Sequence, residues 1–142
     1  MPVDFDLTAL PEGSEKIARL IVKSFADAGF GELQQLAALA NAIVESNLNP
    51  KAVSAAPEQA VGLFQLNRAV GLGAGHAAAE LEDAAVNINL VVTAAKKSHE
   101  FGEAASLQDA VSVFVHKIAR PANPAGETIH RVEIAERLMR SS

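Results

Sequence analysis

The spacing of apolar positions predicts two helices in the first third of the chain. Apolar residues recur every three or four positions between Ser14, a candidate N-cap, and Gly29, which is typical of a helix with one buried face. A second stretch, Glu32–Ser46, is apolar on most of its surface, so we expect a central, buried helix. Glu45 then lies in the last turn of that helix. A carboxylate is unusual there, because the C-terminal end of a helix carries partial negative charge.

The spacing of apolar residues changes in the middle of the chain. Residues 48–66 break the helical spacing and contain proline, serine and glycine, so we expect an irregular β-hairpin in which residues 62–65 form a strand. Gly62 is best explained by a bulge or a close backbone approach. Residues 71–75 form a glycine-rich connector without the Lys-Ser/Thr ending of a phosphate loop, which argues against nucleotide binding.

Helical periodicity returns in the second half. We expect helices over about residues 82–101, from Ser106 to a point before Pro121, and over about residues 126–140. The expected buried positions of the last helix are Ile129, Val132, Ile134, Ala135 and Leu138. The fold class is therefore predicted to be mainly α (α+β), with about five or more helices and one small β-hairpin.

Composition narrows the class of protein. With 49% apolar and 20% charged residues, the chain has the balance of a folded globular protein, and we expect a single domain over residues 1–142. The absence of cysteine excludes disulfides and thiolate metal ligands. The net charge of -5, with 12 scattered basic residues, argues against nucleic acid as a partner.

The sequence was also searched for a membrane helix, a signal peptide and metal-ligand spacing. No apolar run approaches the ~20 residues of a membrane helix, so we expect no membrane insertion. The first residues lack a basic stretch followed by an apolar core, so we expect no signal peptide. His76, His99 and His130 show no paired ligand spacing, and we expect neither a metal nor another cofactor.

Three blocks carry the candidate chemistry: AIVESNLNPKAVS at residues 42–54, VGLFQLN at residues 61–67 and LEDAAVNI at residues 81–88. Together they resemble the catalytic region of goose-type lysozymes and soluble lytic transglycosylase domains. The resemblance implies a lysozyme-like fold, in which the hairpin flanks the active-site cleft. It also implies cleavage of the β-1,4 bond between N-acetylmuramic acid and N-acetylglucosamine in peptidoglycan, with peptidoglycan glycan strands as the partner.

Glu45 matches the catalytic acid of this motif. Glycosidic cleavage needs a carboxyl that stays protonated near neutral pH, and a helix C-terminus with apolar neighbours raises the pKa of a glutamate. The alternative interpretation is a solvated residue at a helix end.

The resemblance also suggests substrate contacts. Ser46 either ends the helix or orients Glu45. Gln65 offers an amide suited to an N-acetyl group, which we favour over the alternative of a buried hydrogen bond. Asn87 is either a cleft residue, which we favour, or a polar anchor in the core. Phe114 and His116 stand where transglycosylases tend to carry a Tyr-Asn pair. The full set of expected substrate-binding residues is Ser46, Ser54, Phe64, Gln65, Asn87, Phe114 and His116.

A second carboxylate is missing where similar lysozymes have one, because the position two residues before Gly62 is Ala60. This favours the lytic-transglycosylase scheme, in which groups of the substrate complete the reaction. Glu58 is a possible second carboxylate that would position a water molecule, although an exposed hairpin charge is an equally good interpretation.

Residues 114–124, with an Arg-Pro-Ala turn from Arg120, are similar to a segment of lysozyme domains attached to phage tails. The resemblance suggests a phage-encoded enzyme, either a virion component or an endolysin, delivered to the bacterial periplasm or cell wall. Other virion proteins are then candidate partners. The alternative function is a catalytically impaired lysozyme-fold component of the virion that is structural or binds peptidoglycan. A helical adaptor without a sugar site would require the motif blocks to be coincidental.

Overall fold

The computed structural model describes residues 2–54, 60–69, 71–119 and 124–139. Helices dominate these ranges and are accompanied by one two-stranded antiparallel sheet, as the sequence predicts. The elements are α1 (Glu15–Asp27), α2 (Glu32–Ser46), β1 (Ala60–Val61), β2 (Leu66–Asn67), α3 (Ala78–Leu81), α4 (Ala84–Lys96), α5 (His99–Glu103), α6 (Leu107–Val113), a π-helical segment (Phe114–Ala119) and α7 (Pro124–Met139). Two 3-10 turns, Leu7–Ala9 and Gly71–Gly73, complete the list.

Helix α2 is the centre of the molecule, with the bounds that its apolar pattern predicts. It packs against α1, α6 and α7, and its middle, from Leu36 to Ala42, is buried on every side. Alanine is frequent in this stretch, which lets the neighbouring helices approach closely. Phenylalanine side chains cluster in the core beside α2, and the ring centroids of Phe101 and Phe114 are 5.6 Å apart.

The expected hairpin is present, but the strand expected over residues 62–65 is wrong. Strand β1 pairs with β2 through Val61 and Leu66, and residues 62–65 form the turn between them. Gly62 and Gln65 have φ values of 85° and 48°, and these left-handed conformations are incompatible with an extended strand. The Gln65 amide donates to the Gly62 carbonyl at 3.0 Å and closes the turn.

The single helix expected over residues 82–101 is divided into α4 and α5. Asp83 caps α4 by accepting a hydrogen bond from the amide of Val86, and Ser98 starts α5 by accepting one from the amide of Phe101. A serine that caps a new helix therefore interrupts a continuous apolar pattern. Ser106 caps α6 as predicted.

The expectation for Ser14 is correct in position only. It occupies the N-cap position of α1, yet its side chain caps no backbone amide and its hydroxyl donates instead to the Pro11 carbonyl at 2.6 Å.

The buried side of α7 differs from the expected one. Ala135 and Leu138 are buried, as the apolar pattern predicts, but Ile129 is 66% exposed. Arg131 lies on the same helical face as Ala135 and Leu138, and its side chain is 1% exposed. A charged residue is therefore buried where α7 packs against α2. Within the described ranges, no helix has the length and apolar character needed to span a bilayer.

Candidate active site

Glu45 lies one residue before the end of α2, where the chain reverses sharply. Asn47 and Leu48 follow with φ values of 54° and 60°, so two successive non-glycine residues adopt the left-handed conformation. Asn49 continues the turn by accepting a hydrogen bond from the amide of Lys51 at 3.0 Å. The reversal ends the helix directly beyond Glu45, whose side chain is 19% exposed. The carboxyl is mostly buried but still reaches solvent.

The nearest charge to Glu45 comes from α7. Nη2 of Arg131 lies 3.4 Å from Oε1 of Glu45, and the same nitrogen lies 3.2 Å from Oε2 of Glu127. Nε of Arg131 also donates to Oε2 of Glu127, at 3.4 Å, and Nη1 donates to Oδ1 of Asn41. We call these four residues, Asn41, Glu45, Glu127 and Arg131, the α2–α7 cluster. It brings two carboxylates to one buried guanidinium.

The electrostatics of this cluster favour a protonated Glu45. Burial raises the pKa of Glu45 above its usual value of 4.5, and the negative charge of Glu127 raises it further. Arg131 acts in the opposite direction through its charge and its hydrogen bond, but the pKa remains raised. The raised pKa of Glu45 agrees with the expectation from the sequence.

The turn of residues 62–65 is fastened beside Glu45 by neutral side chains. Oδ1 of Asn87 accepts from the amide of Phe64 at 3.0 Å, and Nδ2 donates to the carbonyls of Val61 and Leu81, both at 3.0 Å. Ser46 lies on the other side, with its hydroxyl 2.8 Å from the carbonyl of Leu63. We call Ser46 and Asn87 with this turn the turn anchor. Both side chains are buried, Asn87 completely.

These contacts correct the expectation for Asn87 and separate the two alternatives for Ser46. Asn87 lies in the interior rather than in the cleft, because its amide is occupied by three backbone groups. Ser46 links α2 to the turn and has no recorded contact with Glu45. Gly62 is required by close approach, as expected: a Cβ there would lie 2.2 Å from Nδ2 of Asn87.

Gln65 is half-buried at the end of the turn. Its Nε2 donates to the carbonyls of Ala52 and Gly62, at 2.9 and 3.0 Å. The amide nitrogen is therefore engaged with the hairpin, and Oε1 has no hydrogen bond among the described residues. Ser54 also braces the hairpin, because its hydroxyl accepts from the amide of Ala60 at 2.8 Å.

The two expected phenylalanines belong to the core. Phe64 is 4% exposed and Phe114 is fully buried, and their ring centroids are 5.9 Å apart. Neither ring offers a face for sugar stacking. His116 is exposed, and its Nδ1 lies 2.9 Å from the carbonyl of Ser112, one turn earlier. Phe64 and Phe114 therefore serve the core, and the described contact of His116 lies within its own helical segment.

Two expected features fall outside the described residues: Glu58 and the Arg-Pro-Ala turn from Arg120. The position of the missing lysozyme carboxylate, Ala60, belongs to β1. Within the described ranges, no three histidine or acidic side chains form a group that could hold a metal ion.

Sequence reasoning missed Arg131 and its partners Asn41 and Glu127. Two signals pointed to them. Asn41 is one helical turn before Glu45, and Glu127 is one turn before Arg131, so each pair shares a helix face. The spacing of Arg131 from Ala135 and Leu138 also predicts that this arginine shares their buried face.

The helical fold with its small hairpin agrees with a lysozyme-like fold, and its central helix carries a mostly buried glutamate near its end. A family model described as phage tail lysozyme matches residues 16–141, and the chain belongs to that family. A search of curated proteins and a search of solved structures each found no match. Membership supports a phage lysozyme-type function in the degradation of peptidoglycan, with action on the bacterial cell wall.

Proposed function

We propose that this protein cleaves the β-1,4 bond between N-acetylmuramic acid and N-acetylglucosamine, with Glu45 as the general acid. The observation that supports this most directly is the state of the Glu45 carboxyl. It keeps contact with solvent, at 19% exposure, while burial raises its pKa. A general acid needs both properties, because it must reach the substrate and still hold its proton near neutral pH.

In this scheme Glu45 donates its proton to the glycosidic oxygen as the bond to the anomeric carbon breaks. The leaving sugar departs as an alcohol, and positive charge develops on the muramic acid ring. Arg131 keeps the carboxyl in place through Oε1, so Oε2 is the oxygen available to carry the proton. After transfer, the Glu45 carboxylate lies next to the guanidinium, which stabilises its new charge.

The second half of the reaction differs between a lytic transglycosylase and a lysozyme that hydrolyses the bond. Since Ala60 cannot act as a nucleophile or base, we favour completion by the substrate. Its 6-hydroxyl oxygen bonds to the anomeric carbon, the hydroxyl proton passes to the Glu45 carboxylate, and the product carries a 1,6-anhydro end. Hydrolysis would require a carboxylate that orients water, and Glu58 is the candidate for that role. Under the substrate-assisted scheme, Glu58→Gln retains most activity; under hydrolysis it loses orders of magnitude and the products are reducing sugars.

The central test compares Glu45→Gln with Glu32→Gln. Both variants replace one glutamate of α2 by its amide, but Glu32 is exposed at the opposite end of the helix. Purified peptidoglycan is incubated with each folded protein, and the products are identified by mass spectrometry. We expect Glu45→Gln to lose at least about a hundredfold in rate, the usual scale for a general acid, and Glu32→Gln to cleave normally. Cleavage by Glu45→Gln at the wild-type rate would refute the proposed acid.

One observation favours a second candidate, a virion component that binds peptidoglycan without cleaving it. The chain has no tyrosine or tryptophan, and none of its six phenylalanines is exposed. Aromatic stacking is a frequent means of holding a sugar. This candidate predicts that the wild-type protein sediments with peptidoglycan but releases no fragments, and that Glu45→Gln sediments equally well.

A further inference from the structure

Glu127 is the described carboxylate that shares a partner with Glu45. It lies in the first turn of α7, is 37% exposed, and meets Arg131 through two nitrogens, whereas Glu45 meets it through one. The contact from Glu45 is also the longer one to their shared nitrogen, 3.4 Å against 3.2 Å. The guanidinium is therefore directed mainly at Glu127.

The charges in the α2–α7 cluster do not balance when both carboxyls are ionised. Arg131 supplies one positive charge, and its remaining recorded partner, Asn41, is neutral. Two ionised carboxylates would leave an excess negative charge in a site where the guanidinium is 1% exposed. One proton restores neutrality, and an uncompensated buried charge is costly.

The location of that proton follows from exposure and pairing. Glu127 is the more exposed carboxyl and the better paired with Arg131, so it carries the charge at the lower cost. Glu45 is the less exposed and has the single, longer contact. We propose that Glu127 is a positioning residue: it engages Arg131 as an ion pair, and thereby leaves Glu45 as the carboxyl of the cluster that holds the proton. This inference deepens the proposed function and rests on it only for its catalytic consequence.

Other described elements around α2 leave this assignment intact. The buried residues of α1 and α6 that form its core contacts are apolar, and the charged side chains of the π-helical segment, His116 and Lys117, are exposed. Among the described residues, Arg131 and Glu127 are the charged groups that act on the pKa of Glu45. The proton on Glu45 is therefore controlled from α7.

The test is the titration of Glu45 in Glu127→Gln, followed by carboxyl-carbon NMR in protein labelled at glutamate. The signal of Glu45 is assigned by its loss in Glu45→Gln. The amide of Glu127→Gln keeps an oxygen for Arg131 but removes the negative charge, so the guanidinium becomes free to pair with Glu45. We expect the Glu45 titration to move to lower pH. Glu133→Gln is the matched control, since it removes an exposed charge from the same helix and should leave the titration unchanged.

The conservative variant Glu127→Asp provides a second test of the inference. Glu127→Asp keeps the charge but withdraws it by one methylene, so the Glu45 titration should move in the same direction by a smaller amount. If Glu127→Gln does not fold, the titration of Glu45 in Glu127→Asp still tests the inference. An unchanged Glu45 titration in a folded Glu127 variant would overturn the inference, whether or not the chain cleaves peptidoglycan.

Activity separates a positioning role from a catalytic one. If Glu127 only keeps the proton on Glu45, Glu127→Gln loses rate at neutral pH and recovers it at acidic pH, where Glu45 is protonated again. Loss of rate at every pH, with no change in the titration, would place Glu127 on the substrate or its water and refute the inference. If the wild-type chain releases no fragments, the proposed function fails while the titration still tests the charge assignment.

Discussion

The α2–α7 cluster and the turn anchor adjoin each other at the end of α2, and both bury polar side chains, yet they differ in charge. In the turn anchor, the neutral amide of Asn87 meets three backbone groups at 3.0 Å each. In the α2–α7 cluster, two carboxylates share the guanidinium of Arg131, and both retain contact with solvent. Neighbouring residues at the end of α2, Glu45 and Ser46, belong to the two different sites.

The difference shows how a buried polar site becomes chemically useful. A neutral network with a partner for every group gains rigidity and has no proton to exchange. A network with more carboxylates than cations disfavours ionisation of its last carboxyl, and partial exposure allows that carboxyl to exchange a proton. The turn anchor therefore ties the hairpin turn to the end of α2, while the α2–α7 cluster surrounds the Glu45 carboxyl with charge.

Removing the central charge should have the largest effect on stability. Arg131→Met leaves Glu127 without a counter-ion, Asn41 without its donor and Glu45 without its polar neighbour, so we expect a loss of about 3–5 kcal/mol in the free energy of unfolding at neutral pH. Urea titration measures it. The loss should shrink at acidic pH, where protonated carboxyls need no counter-ion. The double variant Arg131→Met/Glu127→Gln should be more stable than Arg131→Met at neutral pH; additive losses would show that the cluster is not coupled.

A methyl group at the turn anchor should have the next largest effect. In Gly62→Ala the new Cβ would lie 2.2 Å from Nδ2 of Asn87 and 2.3 Å from the carbonyl of Leu81, in a backbone with φ 85°. We expect a loss of about 3 kcal/mol, from backbone strain together with displaced hydrogen bonds. Gly13→Ala is the control, because its φ is 75° and nothing lies within 4 Å of its Cβ. Equal losses in thermal unfolding would mean that the contact with Asn87 does not matter.

The smallest expected effect is a pH dependence of stability at Glu45. Because the folded-state pKa of Glu45 is raised above 4.5, ionisation costs more in the folded protein than in the unfolded chain. The cost is absent below the unfolded value and grows as pH rises toward the folded value. The stability of Glu45→Gln relative to wild type should therefore increase between acidic and neutral pH. A constant difference across urea titrations at several pH values would contradict the raised pKa.

Features set by neighbours in sequence were predictable. The apolar period defined α2, and the reversal after Ser46 follows from an asparagine-rich and proline-containing stretch. Ser106 caps α6 because a cap and its amide are three residues apart. Gly62 was correctly assigned to a close approach, and the family motif placed Glu45 at the end of a buried helix. Except for Gly62, whose close neighbours Asn87 and Leu81 are distant in sequence, each depends on interactions within one or two helical turns.

The tertiary structure decided which residues become the hydrogen-bond and ion-pair partners of the buried polar side chains. Asn41 and Arg131 are separated by 90 residues and meet only because α2 packs against α7. Asn87 and Phe64 are 23 residues apart, and their hydrogen bond explains why an asparagine expected in the cleft is buried. Periodicity reports which face of a helix is buried, but the counter-ion of a charged group depends on which two faces meet. That choice is made by the packing of the whole core, so the position of Glu45 at the end of a buried helix was readable from the sequence, whereas the residues that surround it required the fold.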